Sequence, residues 1–256
     1  MDRDERLARK LERLARAQRE ASERMADAQA RMDKKFERLR ERLLQQDDFM
    51  SNAQARIIDA ALGLLDEDGL NELSMRKLAV RLHMQAPAIY WHFKSKEQLI
   101  DYMAEAMLQK EFRTLAARRD DEAWQDWLVD VCQRLREVML SHRDGARVVA
   151  GAHLFPAVTL MKLFEASMES LTSAGVELQR ANLIITTAVH FVFGNVIEQQ
   201  SAPSLEQIRQ VQDGELMKGF PHMHEVIQKF FAGERSNYDK FEEALRLIIG
   251  YPDVQG

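Results

Sequence analysis

The sequence predicts an all-α protein. Apolar residues recur every three or four positions along almost the whole chain, and no stretch alternates apolar and polar residues as a half-buried strand does. The 256 residues include 11 Gly and 5 Pro, so few positions interrupt a helix. Hydrophobic residues make up 46% of the chain, which is enough to bury one or two cores.

The first 48 residues predict a long charged helix. Apolar residues step by three or four positions from Leu7 to Leu43, Arg and Glu fill the spaces, and neither Gly nor Pro interrupts the pattern. Small or polar residues at Gln18, Ala21 and Ala28 weaken any coiled coil. Three interpretations stay open: a solvated helix, a helix that pairs with its twin or folds against the body, and an arm whose 11 Arg follow DNA phosphates.

Residues 75–99 predict a helix, a tight turn and a short second helix. Leu78 and Leu82 lie at helical spacing and define a buried face, and Ser74 is the expected N-cap. The break before Pro87 is too short to be a loop of its own. Pro87 has the fixed φ that suits the first turn of a new helix.

The second helix is expected to expose three consecutive aromatic residues. Ile89 and Phe93, four residues apart, anchor it to the core. An isolated aromatic triplet would be interpreted as a cap on the core, but the preceding helix and turn favour a DNA major groove. Tyr, Trp and His reach phosphates or thymine methyl groups, and small Ala residues let the helix approach the bases. The residues available to DNA are Gln85, Ala86, Ala88, Tyr90, Trp91 and His92.

From about Arg56 to Met107, the chain resembles the DNA-binding region of the TetR family of bacterial repressors. The resemblance includes the opening helix at 56–65, the turn at Gly69 and the highly specific segment Pro-Ala-Ile-Tyr-Trp-His-Phe-Lys-Ser-Lys at 87–96. It implies a homodimer on a palindromic operator in double-stranded DNA. It also implies base contacts from Arg76, Gln85, Ala86, Pro87 and Ala88, and phosphate contacts from Tyr90, Trp91, His92 and Lys96.

One residue in the turn departs from the family pattern. His83 stands where many members have Gly. A left-handed backbone costs more for His than for Gly, although His tolerates it better than a β-branched residue does. We therefore expect the turn to keep its geometry at some cost in stability.

The C-terminal half is similar to the tetracycline-repressor subgroup of that family. Segments that begin at Trp124, Arg143 and Ala188 carry this resemblance. It implies that the helix ending at Gln200 and a helix near 225–249 form a four-helix bundle with a second subunit. The apolar series that fits this role is Phe241, Ala244, Leu245, Ile248 and Ile249.

A membrane is not an expected partner. The most apolar stretch, Ala181 to Ile197, is about 17 residues long, which is short for a bilayer span. It also contains Asn182, His190 and Asn195. We interpret it as a buried interface helix.

The positions where tetracycline repressors hold the drug and its Mg²⁺ carry mostly apolar residues here. By resemblance these positions are Phe112, Val131, Leu135, Val149, Ala152 and Ser167, with Glu198 at the position of an outer-shell carboxylate. Apolar side chains supply neither the oxygen ligands of Mg²⁺ nor paired donors for a tetracycline. We expect no cofactor and an apolar or aromatic effector, with Mg²⁺ unlikely to take part.

Alternatives remain for several of these residues. Phe112, Val131 and Leu135 can equally be ordinary core residues. His153 and His190 either contribute polar contacts to the pocket or are hydrogen-bonded core histidines. His222 and His224 have a spacing that can chelate a metal on an extended segment, but without companion ligands we interpret them as loop residues and predict no metal site.

The distribution of charge is compatible with DNA binding. The net charge of -5 divides into +2 for residues 1–48, +1 for 49–96 and -8 for 97–256. These ranges are the three predicted domains: a charged helical arm, a helix-turn-helix domain and a helical ligand-binding and dimerisation domain. The charge-dense N-terminus has no cleavable signal, which predicts a cytoplasmic protein.

No catalytic constellation stands out in the sequence. No nucleophile with an adjacent base, Gly-rich phosphate loop or pair of carboxylates at useful spacing is present, so an enzyme is not expected. The single Cys132 lies among apolar residues and is expected to be packed. We predict a ligand-released repressor. The alternative is a nucleoid-associated or scaffold protein with little sequence preference, and activator function stays open.

Overall fold

A computed structural model describes residues 50–153, 157–202, 219–232 and 237–250. These residues form helices joined by turns and contain no strand, which confirms the all-α prediction for this part of the chain. The predicted arm at 1–48 lies outside the described residues. The helices are α1 Asn52–Asp68, α2 Met75–Arg81, α3 Ala86–His92, α4 Lys96–Phe112, α5 Trp124–Leu140, α6 Gly145–Ala150, α7 Val158–Ser173, α8 Leu178–Gln200, α9 Pro221–Ala232 and α10 Asn237–Ile249.

Helices α1 to α3 form a small unit that we call the headpiece, residues 52–93. The apolar periodicity of α1 buries Ile57 and Leu65, and α2 contributes Leu78 to the same core. Phe93 ends the unit and is fully buried, with its ring edge-to-face against Tyr102 of α4 at 5.2 Å between centroids. The headpiece core is therefore closed by the next helix.

Helix α4 belongs to both halves of the chain. It packs against α1 on one side and against α5, α6 and α7 on the other. The predicted boundary between residues 96 and 97 falls in its first turn, and both predicted domain boundaries stay predictions. Helix α4 therefore contacts both the headpiece and α5–α7.

Ser95 starts α4, and its removal should have a measurable cost. Its Oγ accepts a hydrogen bond from the backbone N–H of Gln98 at 3.2 Å. Ser95→Ala leaves that N–H without its cap, so we expect a loss of about 1 kcal/mol and a fall in Tm of roughly 2 to 4 °C. Differential scanning calorimetry checks this. Ser173→Ala, at an exposed helix end, is the control, and an equal loss in both variants contradicts the capping role.

Helix α8 is the central helix of the C-terminal half. It packs against α5, α6, α7 and α10 and buries Ala181, Ile185, Ala188 and Val192. Of the described helices, α8 is the one that is long and apolar enough to cross a bilayer, judged by length and composition only. The packing contacts account for the apolar residues of one face of α8. Its opposite face is open in the single chain and includes Leu183, which is 58% exposed.

The prediction of one helix near 225–249 is wrong, and three residues of its apolar series are covered by their own chain, while contact of this region with a second subunit stays a prediction. Two helices, α9 and α10, occupy this region. In α10, Phe241, Leu245 and Ile249 are at most 4% exposed, and the helix packs against α5 and α8 of its own chain. An apolar stripe in a sequence identifies a buried face but not whether the covering helix comes from the same chain.

His222 and His224 lie within α9, so their interpretation as loop residues is wrong. Pro221 opens the helix, a position where its missing N–H costs nothing. Two residues apart on a helix, side chains point in nearly opposite directions, which excludes chelation by this pair. Within the described ranges, no group of three or more His, Cys, Asp or Glu is placed to hold a metal ion.

Candidate nucleic-acid interface

The turn between α2 and α3 has the predicted sharp geometry. His83 has a φ of 53°, in the left-handed region. The N–H of His83 donates to the carbonyl of Val80 at 3.1 Å, and the N–H of Met84 donates to that of Ala79 at 2.9 Å. Ser74 caps α2 by accepting from the N–H of Lys77 at 3.2 Å, as predicted. These bonds fix the angle between the two helices.

Helix α3 divides into an anchored side and an open side. Ile89 and Phe93 are 0% exposed, which confirms their predicted role as anchors. On the open side, Tyr90 is 46% and Trp91 is 81% exposed, and the ammonium of Lys94 lies 5.9 Å from the Trp91 ring centroid. Exposed aromatic side chains next to a cation form a surface that suits a phosphate backbone.

The remaining predicted contact residues surround this surface, with one exception. Arg76, Gln85 and Pro87 are exposed, and Ala86, Ala88 and His92 are half-buried. Lys96 instead turns back, and its Nζ donates to the carbonyl of Leu70 at 3.1 Å. A phosphate contact from Lys96 stays a prediction, and the ammonium has two further donors for it.

Ion pairs with the acidic end of α1 occupy two of the three cations of α2. Arg81 makes two hydrogen bonds to Glu67, at 2.6 and 2.9 Å, and its guanidinium lowers the pKa of Glu67. Lys77 lies 3.1 Å from Asp68 and 3.0 Å from Glu72, and these carboxylates raise the pKa of Lys77. Arg76 makes no ion pair with any described residue and is left available to DNA.

The end of α1 and the turn after it meet the turn between α5 and α6, and we call this contact the joint. Asp66 accepts from the N–H of Arg143 at 3.0 Å and lies 2.9 Å from Nδ1 of His142. Asp144, with a left-handed φ of 57°, accepts from the N–H of Leu70 at 2.8 Å. The joint therefore ties the headpiece to α6 through directional hydrogen bonds.

The predicted effector residues fall into two groups. Phe112 of α4, Val131 and Leu135 of α5, Val149 of α6 and Ser167 of α7 are buried where these four helices pack. Arg134 covers the Phe112 ring at 5.1 Å from its centroid. Ala152 is half-buried, and three others are exposed in the single chain: His153, His190 and Glu198.

Comparison with known proteins decides the family. Residues 57–103 match the family described as Bacterial regulatory proteins, tetR family, and residues 117–250 match Tetracyclin repressor-like, C-terminal domain. The chain belongs to the TetR family. TetR-family proteins are transcriptional regulators rather than enzymes, as the sequence predicts.

Burial also raises the pKa of the Cys132 thiol to about 12, which keeps it unreactive.

Individual TetR-family proteins resemble most of the described chain. Tetracycline repressor protein class A from transposon 1721 of Escherichia coli is 39% identical over 148 residues, 58% of this chain and 67% of that protein. A possible TetR family regulator from Streptomyces coelicolor A3(2) gives a TM-score of 0.68 at 28% identity, covering 77% of this chain and 96% of that one.

Two other solved structures contain bound partners. A TetR variant from Acinetobacter baumannii AYE in complex with minocycline gives a TM-score of 0.57 at 30% identity and covers 78% of this chain and 94% of that one. BioQ with its natural double-stranded DNA operator gives a TM-score of 0.51 at 31% identity and covers 62% of this chain and 93% of that one.

Two buried carboxylates in this TetR-family chain were missed by sequence reasoning. Asp101 and Glu105, one turn apart on α4, are 6% and 2% exposed. Asp101 accepts from the N–H of His153 at 2.9 Å, and Glu105 accepts from the N–H and the Oγ1 of Thr159 at 2.9 and 2.8 Å. The sequence signal that could have identified them is a pair of acidic residues four positions apart on the buried face of a helix.

Together the two carboxylates hold both ends of the segment that joins α6 to α7. His153 precedes that segment and Thr159 lies in the first turn of α7. The negative charge of Glu105 at this helix N-terminus also complements the dipole of α7. Through Asp101 and Glu105, α4 is attached to His153 and to the first turn of α7.

Glu105 should make the stability of the protein depend on pH. Burial raises the pKa of Glu105, so the folded chain holds this proton more tightly than the unfolded chain. As pH rises from the ordinary value of 4.5 towards the raised pKa, the free energy of unfolding therefore falls. We expect wild type to lose stability relative to Glu105→Gln over this interval. Urea unfolding at several pH values measures the difference, with exposed Glu137→Gln as the control. If the difference in free energy of unfolding between wild type and Glu105→Gln does not change with pH, the role of Glu105 is contradicted.

Proposed function

We propose that this TetR-family protein is a ligand-responsive repressor that binds a palindromic operator as a homodimer. The observation that carries the proposal is the open side of α3, where Tyr90 and Trp91 are exposed beside Lys94 while Ile89 and Phe93 hold the helix in the core. Related proteins named as tetracycline repressors, and BioQ bound to its operator, support the same function. Such a regulator acts in the cytoplasm, where the chromosome is.

The proposed base contacts are Arg76 and the residues from Gln85 to Ala88, with phosphate contacts from Tyr90, Trp91, His92 and Lys96. Arg pairs in a bidentate manner with guanine and Gln with adenine, whereas Ala and Pro permit a close approach. Two subunits place their α3 helices in successive major grooves, about 34 to 36 Å apart. The operator is therefore expected to consist of two inverted half-sites.

Dimerisation is proposed to use the open face of α8. Leu183 is 58% exposed there in the single chain, and polar His190, two turns along the same face, is also exposed. A mixture of exposed Leu with polar residues is typical of a subunit interface. The face of α10 that carries Phe241 is excluded from this role because its own chain covers it.

The proposed effector is an apolar or aromatic molecule. Phe112, Val131, Leu135 and Val149 come from three helices and offer no oxygen ligand for Mg²⁺. Minocycline binds the related protein from A. baumannii, but the apolar set in this chain favours a ligand with fewer polar groups. The exposed positions of His153, His190 and Glu198 leave the candidate pocket less polar than the sequence predicted.

Release from DNA is proposed to follow from movement of α6 and α4. An effector between α4, α5 and α6 displaces α6, and the shift reaches the headpiece through the joint and through α4. A hundredfold loss of operator affinity requires a coupling free energy of about 2.7 kcal/mol. A few differential contacts in a packed helical domain supply that amount.

Selection of DNA by the purified protein tests the function. We expect random duplexes to converge on one inverted repeat, and a protected region consistent with two half-sites in footprinting. Affinity for that repeat should exceed affinity for scrambled DNA by at least about a thousandfold at physiological salt. A steep salt dependence without sequence preference would instead identify a nucleoid-associated or scaffold protein.

A thermal-shift screen tests the class of effector. Aromatic antibiotics and dyes are added with and without Mg²⁺, and hits are then tested for release of the selected operator. We expect the best compound to act without Mg²⁺. Strong stabilisation by a tetracycline that requires Mg²⁺ would overturn the apolar-effector proposal while leaving the repressor function intact.

A further inference from the structure

A polar cavity of about 300 Å³ lies beside the joint. It is separate from the buried effector residues, and its walls come from the end of α1, from the turn between α5 and α6, and from the end of α8. Its volume is at the lower end of the range for small-molecule sites. The lining residues are Asp68, Gly69, Asn71, Arg143, Asp144, Arg147 and Gln200.

The walls of this cavity are held in place by hydrogen bonds. The amide of Gln200 donates to the carbonyls of Met139 and His142 at 3.0 and 2.9 Å and accepts from the N–H of Ala146 at 3.1 Å. Asp144 is fixed by the N–H of Leu70. A ligand that enters this cavity therefore meets a largely pre-formed site, which reduces the entropic cost of binding.

The two arginines of the cavity have unused donors. Arg143 donates from Nη1 to the carbonyl of Glu67 at 2.9 Å, and its Nε and Nη2 have no hydrogen-bond partner among the described residues. Arg147 contacts Asn71 at 3.2 Å and, more weakly, Asp144 at 3.5 Å. Two guanidinium groups four residues apart can form charge-assisted hydrogen bonds to one oxyanion.

The carboxylates of the cavity are already engaged. Asp68 is paired with Lys77 at 3.1 Å, and Asp144 accepts from Leu70 and lies next to Arg147. Gly69, with a φ of 84°, has no side chain, and a Cβ there would come within 3.0 Å of Oδ2 of Asp144 and 3.2 Å of Nε of Arg143. The two Asp and two Arg of the lining carry no net charge together, so an anionic guest would be selected by the unused donors of Arg143 and Arg147 and not by the overall charge.

We propose that this cavity binds a small molecule that carries a carboxylate or phosphate group. The oxyanion bridges Arg143 and Arg147, and the rest of the molecule lies against Gly69 and Gln200. Because the cavity includes residues from both sides of the joint, its ligand stabilises the joint. The protein then has a second binding site, distinct from the apolar effector set and from the DNA surface.

Titration of the purified full chain with inorganic phosphate and, separately, with succinate tests this site. Ionic strength is held constant with chloride, and binding is measured by calorimetry and by amide hydrogen exchange. We expect saturable binding of at least one probe and slower exchange of the Leu70 N–H. The two probes distinguish phosphate from carboxylate as the preferred group.

Variants assign the binding to the two arginines. Arg147→Gln should weaken binding by about tenfold or more, because a charge-assisted hydrogen bond is lost. Arg143→Gln should weaken binding similarly. Arg147→Gln is the better variant for this test, because the Arg147 side chain is 44% exposed and its replacement is not expected to disturb folding. Exposed Arg180→Gln on α8 is the matched control and should bind as wild type does. Absence of saturable binding by both probes, or wild-type affinity in Arg147→Gln, overturns the proposal.

Discussion

Replacement of both Tyr90 and Trp91 by Ala is expected to weaken operator binding by roughly a hundredfold. Each side chain is expected to lose a hydrogen bond to a charged phosphate, and two such losses amount to about 3 kcal/mol. Neither side chain supports the core, since Trp91 is 81% and Tyr90 is 46% exposed. The variant should therefore keep its helical content and its Tm.

Fluorescence anisotropy with the selected inverted repeat measures this loss. Val80→Ala is the matched control, because Val80 is 69% exposed on α2 of the same headpiece. We expect the control to bind within a factor of about two of wild type, as surface substitutions usually change free energies by less than about 0.5 kcal/mol. Undiminished affinity in the double variant would remove α3 as the DNA-reading helix.

The headpiece was predictable because its signals are local. Ser74 caps α2, Pro87 lies in the first turn of α3, and Ile89 and Phe93 bury themselves at a spacing of four. Each of these features depends on residues within one or two turns of the chain. The family resemblance then identifies DNA as the expected partner, which the helix signals alone do not.

The features that sequence reasoning missed depend on distant residues. Asp101 meets His153 and Glu105 meets Thr159, more than fifty positions away. Phe241 looks in the sequence like any interface residue, but it stacks on Phe191 of its own chain at 5.4 Å between ring centroids. Periodicity identifies which face of a helix is buried, and tertiary packing decides what covers it.

The acidic end of α1 acquires a role that its charge alone did not suggest. The structure uses all three acidic residues of this end, Asp66, Glu67 and Asp68, in contacts. Glu67 and Asp68 hold cations of α2, whereas Asp66 binds the turn before α6. The same short run therefore orients the DNA-reading helices and connects them to the domain expected to bind the effector.

Gly145 at the start of α6 is expected to be intolerant of any side chain. A Cβ at this buried position would overlap the backbone carbonyl of Met139 and would lie 3.1 Å from Cε of Met107 on α4. The carbonyl belongs to α5 and has little freedom to move, so α6 itself must shift away from α5. We expect Gly145→Ala to cost about 2 to 3 kcal/mol through overpacking and to lower Tm by roughly 4 to 12 °C.

Calorimetry and operator binding together test this prediction. Gly63→Ala in α1 is the control, because the atoms nearest to its Cβ belong to the flexible guanidinium of Arg81. That variant should be neutral or slightly stabilising, since Ala favours a helix over Gly by about 1 kcal/mol. If α6 communicates with the headpiece through α4 and the joint, Gly145→Ala should also change operator affinity at temperatures where it remains folded. A wild-type Tm in Gly145→Ala contradicts the close packing of α6. A lowered Tm with unchanged operator affinity contradicts the proposed route from α6 to DNA, because displacement of α6 would then leave the position of the headpiece unchanged.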